Sequence, residues 1–132
     1  MSVSYDFDGR VAVVTGAAGT LGAAVAERFL DAGATVVAVD VVDPEDAEVP
    51  DGATYRQADL TDEATVAALF EAIVEEAGRI DALANVAGTW RGGDPVHETE
   101  AETFDLLMDV NLRTAFYATK HALPHLRETA GA

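Results

Sequence analysis

The chain has 132 residues, 49% of them hydrophobic, which suits one domain around one core and excludes a disordered tail. It carries 24 acidic residues against 8 Lys and Arg, a formal net charge of −16, and a surface this negative repels nucleic acid and anionic lipid. It has no cysteine, so disulfide staples, thiol catalysis and cysteine-ligated zinc are excluded.

The pattern alternates strand and helix in chain order. Arg10–Thr15 holds Val-Ala-Val-Val, a run that suits a strand buried on both faces. Residues 21–32 follow helical spacing, with Leu21, Ala24, Val25 and Phe29 on one stripe, and Gly33 stands where the helix should end. Thr35–Val39 reads as a second buried strand ending at Asp40. Residues 41–52 contain two prolines and five acids and read as an exposed loop. A short strand over 54–58 leads to Asp59-Leu60, and Thr61 is placed to cap the next helix. That helix shows apolar residues at Val66, Leu69, Phe70, Ile73, Val74 and Ala77, a strong amphipathic series closed by Gly78. Residues 80–87 read as a fourth strand and 88–98 as a loop. Thr99 and Glu102 fit a capping box for a last helix over about 101–127, kinked or shortened by Pro124. The fold class expected is α/β, a parallel sheet of about four strands with helices on both faces. One domain, 1–132, is expected, ending where a further strand would begin.

No apolar run approaches the roughly 18 residues needed to cross a bilayer. The start, Met1 to Asp6, has neither a basic region nor an apolar core, so no signal peptide is expected and the location predicted is cytoplasmic. The acids are dispersed and Lys120 is the only lysine, a composition that resembles proteins of salt-loving organisms and predicts that molar salt strengthens the fold.

The first strand runs into Thr15-Gly16-Ala17-Ala18-Gly19-Thr20-Leu21-Gly22, and a helix follows. Glycines between a buried strand and an amphipathic helix are a dinucleotide signature. Gly16 permits the tight turn. A small residue in the middle, such as Ala18, lets the backbone approach a pyrophosphate. Gly22 lets helix pack closely on strand. Unpaired N–H groups of the first turn, at Thr20 and Leu21, then face the phosphates. No Lys-Ser or Lys-Thr closes the motif, which argues against a nucleoside-triphosphate loop. Asp40, at the end of the second strand, suits the two hydroxyls of an adenosine ribose and would repel a 2′-phosphate. No arginine or lysine at residues 17, 18, 41 or 42 would attract one, so NAD is preferred over NADP.

These motifs resemble the short-chain dehydrogenase/reductase family. Thr15-Gly16-x-x-x-x-Leu21-Gly22 resembles its glycine-rich segment. Asp59-Leu60 resembles the pair that contacts the adenine. Asn85-Val86-Ala87-Gly88 is similar to the family's Asn-Asn-Ala-Gly, and Val110-Asn111-Leu112 to the segment carrying its catalytic asparagine. The resemblance spans 15–112 and implies a Rossmann-type fold, of which this chain covers the N-terminal half. It implies cofactor contacts at Gly16, Ala18, Thr20, Leu21, Gly22, Asp40, Asp59, Leu60, Asn85, Ala87 and Gly88, a catalytic role for Asn111, and no metal. It implies hydride transfer between a nicotinamide and a small alcohol or ketone. Two departures stand out: Thr20 replaces the commonest glycine, and Val86 replaces the second asparagine.

The family's serine and Tyr-x-x-x-Lys are not in this chain. Tyr117 and Lys120 are three apart and lie on the helix of Asn111, so they read as packing or surface residues. His121 and His125 are four apart, a spacing that permits metal binding, but no acidic or cysteine partner accompanies them and they read as a surface pair. Trp90 and Arg91 either contact substrate or cover the sheet. Phe104, Leu107, Met108, Leu112, Ala115, Phe116, Thr119, Leu123 and Leu126 form a broad stripe, wide enough to predict a homo-oligomer or pairing with a missing half, and the fourth strand is expected to be an unpaired edge. Two further functions compete: a free-standing nucleotide-binding or assembly module without activity, and a methyltransferase using S-adenosylmethionine. The Asn85-Val86-Ala87-Gly88 segment argues against the latter.

Overall fold

A computed structural model describes residues 3–132. The elements are β1 (Val11–Thr15), α1 (Thr20–Asp31), β2 (Thr35–Asp40), β3 (Thr54–Gln57), α2 (Glu63–Ala77), β4 (Ala82–Ala84), α3 (Ala101–Met108) and α4 (Thr114–Thr129). The four strands form one parallel sheet in the order β3-β2-β1-β4. This is a Rossmann-type α/β fold. The chain moves outward from β1 to β3, then crosses back through α2 to lay β4 on the other side of β1. The order therefore reverses between β1 and β4, and a crevice opens at their carboxyl ends.

Alternation along the strands creates two cores. Val11, Val13, Val37 and Val39 face Val66, Leu69, Phe70 and Ile73 of α2 and Ala118, Ala122 and Leu126 of α4. Ala12, Val14, Val36 and Ala38 face the other way, onto Ala26, Val25, Phe29 and Leu30 of α1. Small residues on this second side let α1 lie close to the sheet, which sets the depth of the glycine turn at its start.

Several local expectations are corrected. Leu21 and Ala24 are exposed, and α1 instead buries Gly22 and Ala26, with Val25, Phe29 and Leu30 packed alongside. The helix follows the sheet's geometry, and one step of rotation moves the stripe. Asp62, not Thr61, caps α2, its carboxylate accepting from the Thr65 N–H at 3.0 Å. Thr61 is held by Asp59 instead. The capping box at Thr99 does not form, because Glu100 is the residue preceding α3 and its side chain makes no cap. The last helix runs without a break from Ala101 to Thr129, but a π turn over Asp109–Arg113 lies between α3 and α4, and Pro124 does not shorten it. β4 is shorter than residues 80–87, because the chain past Ala84 leaves the ladder to form the crevice wall. Its outer edge is partly paired. The Ala132 N–H donates to the Asp81 carbonyl at 3.0 Å, and the Leu83 N–H donates to the Ala132 carbonyl at 2.8 Å, a parallel bridge. Among the described residues, no helix is long and apolar enough to cross a membrane.

Asp81 ties together the starts of the neighbouring strands β1 and β4. Its buried carboxylate accepts from the Val11 N–H at 2.8 Å and from the Arg79 guanidinium at 2.8 and 2.6 Å. The Arg79 hydrogen bonds hold the Asp81 carboxyl below its ordinary range; burial opposes them, and the Val11 N–H adds to the lowering. A carboxyl lowered in the folded state contributes stability that is complete above the unfolded value and is lost as pH falls through the folded one. Asp81→Ala should cost about 2 kcal/mol at neutral pH, since it strands a buried N–H. The deficit should shrink as pH drops below the carboxylate range. Urea unfolding at neutral and acid pH measures both. A variant equally destabilised at every pH would refute the ionic part.

Candidate dinucleotide-binding site

The crevice at the carboxyl ends of the strands is a cleft of about 630 Å³. Its floor is the turn from β1 to α1. Gly16 has φ +64°, and a Cβ there would stand 2.7 Å from the Ala87 nitrogen, so both conformation and contact require glycine. A Cβ on Gly22 would stand 2.0 Å from the Gly16 carbonyl oxygen, so α1 starts in direct contact with the turn. No side chain caps α1, and its first turn holds no acid. Its N–H groups therefore face the cleft with a positive dipole end. Gly16, Thr20, Leu21, Gly22, Asp40, Asp59, Leu60, Ala87 and Gly88 all line this cleft.

Ala18 and Asn85 sit differently. The Ala18 N–H donates to Asp40 Oδ2 at 3.0 Å and so fixes the acid to the glycine turn. Asp40 Oδ1 accepts from the Val41 N–H at 2.7 Å. The side chain of Asn85 points away from the cleft and donates to Thr119 Oγ1 on α4 at 3.0 Å. At Leu60 the side chain is buried in the core, so what it offers the cleft is mainly backbone. Asp59 Oδ1 accepts from the N–H and hydroxyl of Thr61, at 2.9 and 2.6 Å.

Asn111 lies within the π turn, a helix irregularity often found at functional sites. Its Oδ1 accepts from the Thr89 N–H at 2.9 Å, and its Nδ2 donates to the Thr89 carbonyl at 2.9 Å. Nδ2 also donates to the Leu107 carbonyl at 2.9 Å. The amide thus locks the segment following β4 against the helix, and Gly88 leaves room for it: a Cβ there would stand 2.7 Å from Asn111 Oδ1.

Thr15 has a role that its motif position did not specify. Buried at the end of β1, its hydroxyl accepts from the Val86 and Ala87 N–H groups at 3.0 and 3.1 Å. It joins the floor of the cleft to its wall. A hydroxyl in an otherwise apolar buried strand must find partners, and that was the available signal. Leu106, Asp109 and Thr114, which no motif named, also line the cleft, as does Val110 of the Asn111 segment.

Other residues are kept apart. The Tyr117 hydroxyl meets Arg113 Nη1 at 3.2 Å, whereas Lys120 pairs with Glu63 of α2, so they share no site. His121 contacts the same Glu63 at 3.2 Å, while His125 borders a separate surface hollow with Arg79 and Glu128. Trp90 is 81% exposed and Arg91 is exposed too, so neither covers the sheet.

A glycine turn packed on a helix start, with an acid at the end of the second strand, defines a dinucleotide-binding α/β fold. The short chain dehydrogenase family profile matches residues 10–132, and the chain belongs to that family. L-fucose dehydrogenase of Oryctolagus cuniculus is 38% identical, over 99% of this chain and 47% of its own length. Meso-2,3-butanediol dehydrogenase of Serratia marcescens is 37% identical, over 95% of this chain and 51% of its own. The crystal structure of 3-ketoacyl-(acyl-carrier-protein) reductase from Brucella melitensis complexed with NADH superimposes with a TM-score of 0.85 at 36% identity, over 93% of this chain and 52% of that one. The chain thus spans about half the length of the relatives it matches.

Proposed function

We propose that this chain binds NAD in the cleft and supplies the cofactor-binding part of an oxidoreductase acting between an alcohol and a carbonyl compound. The observation that carries this reading is the uncapped start of α1 against Gly16 and Gly22, a cradle that any Cβ would fill. The N–H groups of Thr20, Leu21 and Gly22 would hold the pyrophosphate. Asp40, aimed by the Ala18 and Val41 N–H groups, would accept from the adenosine ribose. Asp59 and the Leu60 backbone would flank the adenine. Ala87 and Gly88 would border the nicotinamide, with Asn85 and Asn111 holding that wall from behind. When bound, NAD supplies a hydride acceptor. An acid or base for the substrate oxygen must come from elsewhere: the only lysine is Lys120, and Phe116 stands four residues before it. Dinucleotide binding is the part of the reaction that the residues of this cleft support. The exposed Phe104, Met108, Leu112, Phe116 and Leu123 offer an apolar surface for association.

Titration calorimetry with NAD, NADP and S-adenosylmethionine tests the reading. NAD should bind, NADP should bind about tenfold or more weakly, a difference of about 1.4 kcal/mol, and S-adenosylmethionine should give no heat. Equal affinity for NAD and NADP would remove the role of Asp40. Absence of any NAD binding would remove the function.

A further inference from the structure

We propose that Tyr55 and Gln57 of β3 are positioning residues that set the preference for NAD over NADP, acting through the backbone of residues 40–42. Asp40 is the last residue of β2, paired with Gln57 in the sheet. Beyond it the chain leaves the ladder, and Val41 is exposed at the cleft. The Asp40 carboxylate nevertheless depends on that segment, because Oδ1 accepts from the N–H groups of Val41 at 2.7 Å and Val42 at 3.4 Å. Two side chains of β3, on one face of the strand, hold the same segment by its carbonyls. Gln57 Nε2 donates to the Val41 carbonyl at 3.1 Å. The Tyr55 hydroxyl donates to the Val42 carbonyl, with the Asp40 carbonyl 3.3 Å away. The tyrosine ring packs with the core on the α1 side, so the hydroxyl is a fixed anchor rather than a mobile one.

The consequence is electrostatic. A carboxylate held at one point rejects a 2′-phosphate strongly; one free to swing away rejects it weakly. Removing the anchors lets residues 41 and 42 move and leaves the Asp40 carboxylate held by the Ala18 N–H alone. Burial and the charges of Asp40 and Asp43 push the Tyr55 hydroxyl up, so it stays protonated and able to donate. Neither Tyr55 nor Gln57 lines the cleft, and both act only through Asp40.

The inference rests on the NAD-binding reading, and two measurements separate their fates. In the first, the full chain and Tyr55→Phe are titrated with NAD and NADP. Phe keeps the ring and removes only the hydroxyl. The NAD-to-NADP affinity ratio should fall about threefold or more in Tyr55→Phe, and further in Tyr55→Phe combined with Gln57→Ala. An unchanged ratio, including one in which both affinities fall equally, would overturn the proposal. The second uses no cofactor. Amide hydrogen exchange at Val41 and Val42 should quicken about tenfold in Tyr55→Phe, with exchange in β1 and α2 unaltered. Unaltered exchange at Val41 and Val42 would overturn the anchoring. If the unmodified chain bound no dinucleotide, the NAD reading alone would fall, and exchange would still decide the anchoring.

Discussion

Replacing Gly22 with alanine is expected to destabilise the chain by about 2 kcal/mol and to weaken NAD binding at least about tenfold. In an exposed helix the same change stabilises by up to about 1 kcal/mol, because glycine is the poorer helix former. Here the sign reverses. The new methyl would stand 2.0 Å from the Gly16 carbonyl oxygen, 2.6 Å from its carbon and 2.9 Å from Ala17 Cα, all of them backbone. No side chain can turn aside, so the first turn of α1 must move. That turn carries the N–H groups proposed to meet the pyrophosphate, and hydrogen bonds weaken steeply with misalignment. Urea denaturation and calorimetry read the two effects. A Gly22→Ala chain as stable as the original, with unchanged affinity, would show that helix and turn do not touch.

Raising KCl from about 0.1 M to about 1 M should raise the melting temperature by about 10 °C, or roughly 2 kcal/mol for a domain of this size. The chain carries a formal charge of −16. Its acids are mostly unpaired: the exposed Asp43, Glu45, Asp46, Glu48 and Asp51 of the loop between β2 and β3 make no salt bridge among the described residues. Their mutual repulsion is screened when the Debye length shrinks from about 10 Å to about 3 Å. The same screening should strengthen binding of an anionic dinucleotide, since ligand and protein carry like charge. A melting temperature that stays flat or falls would refute the salt-adapted reading.

The order of elements was legible before any coordinates, because each strand and helix announces itself locally through a period of two or 3.6 residues. The glycine turn was equally legible, since only glycine serves at Gly16 and Gly22. Helix faces were less so. Leu21 looked like a core residue and is exposed, whereas Ala118 and Ala122, small and unremarked, cover the sheet. By resemblance, Asn85 was placed at the cofactor and Asn111 in a catalytic role. The fold turns Asn85 toward Thr119 and gives Asn111 to the Thr89 backbone. The π turn that aims Asn111, inside the last helix, had no local signature.

By itself the sequence determined the α/β class, the chain order of strands and helices, the phosphate-type turn and the family, all consequences of short-range patterns. Only the tertiary structure decided what those patterns act on. It joined Thr15 to Ala87 across 72 positions, Asp81 to Val11 across 70, and the Tyr55 hydroxyl to the Val42 carbonyl across 13. The physical reason is that a hydrogen bond's partner is chosen by packing. Burial obliges Thr15 and Asp81 to find partners, and only the fold's register says which ones are in reach.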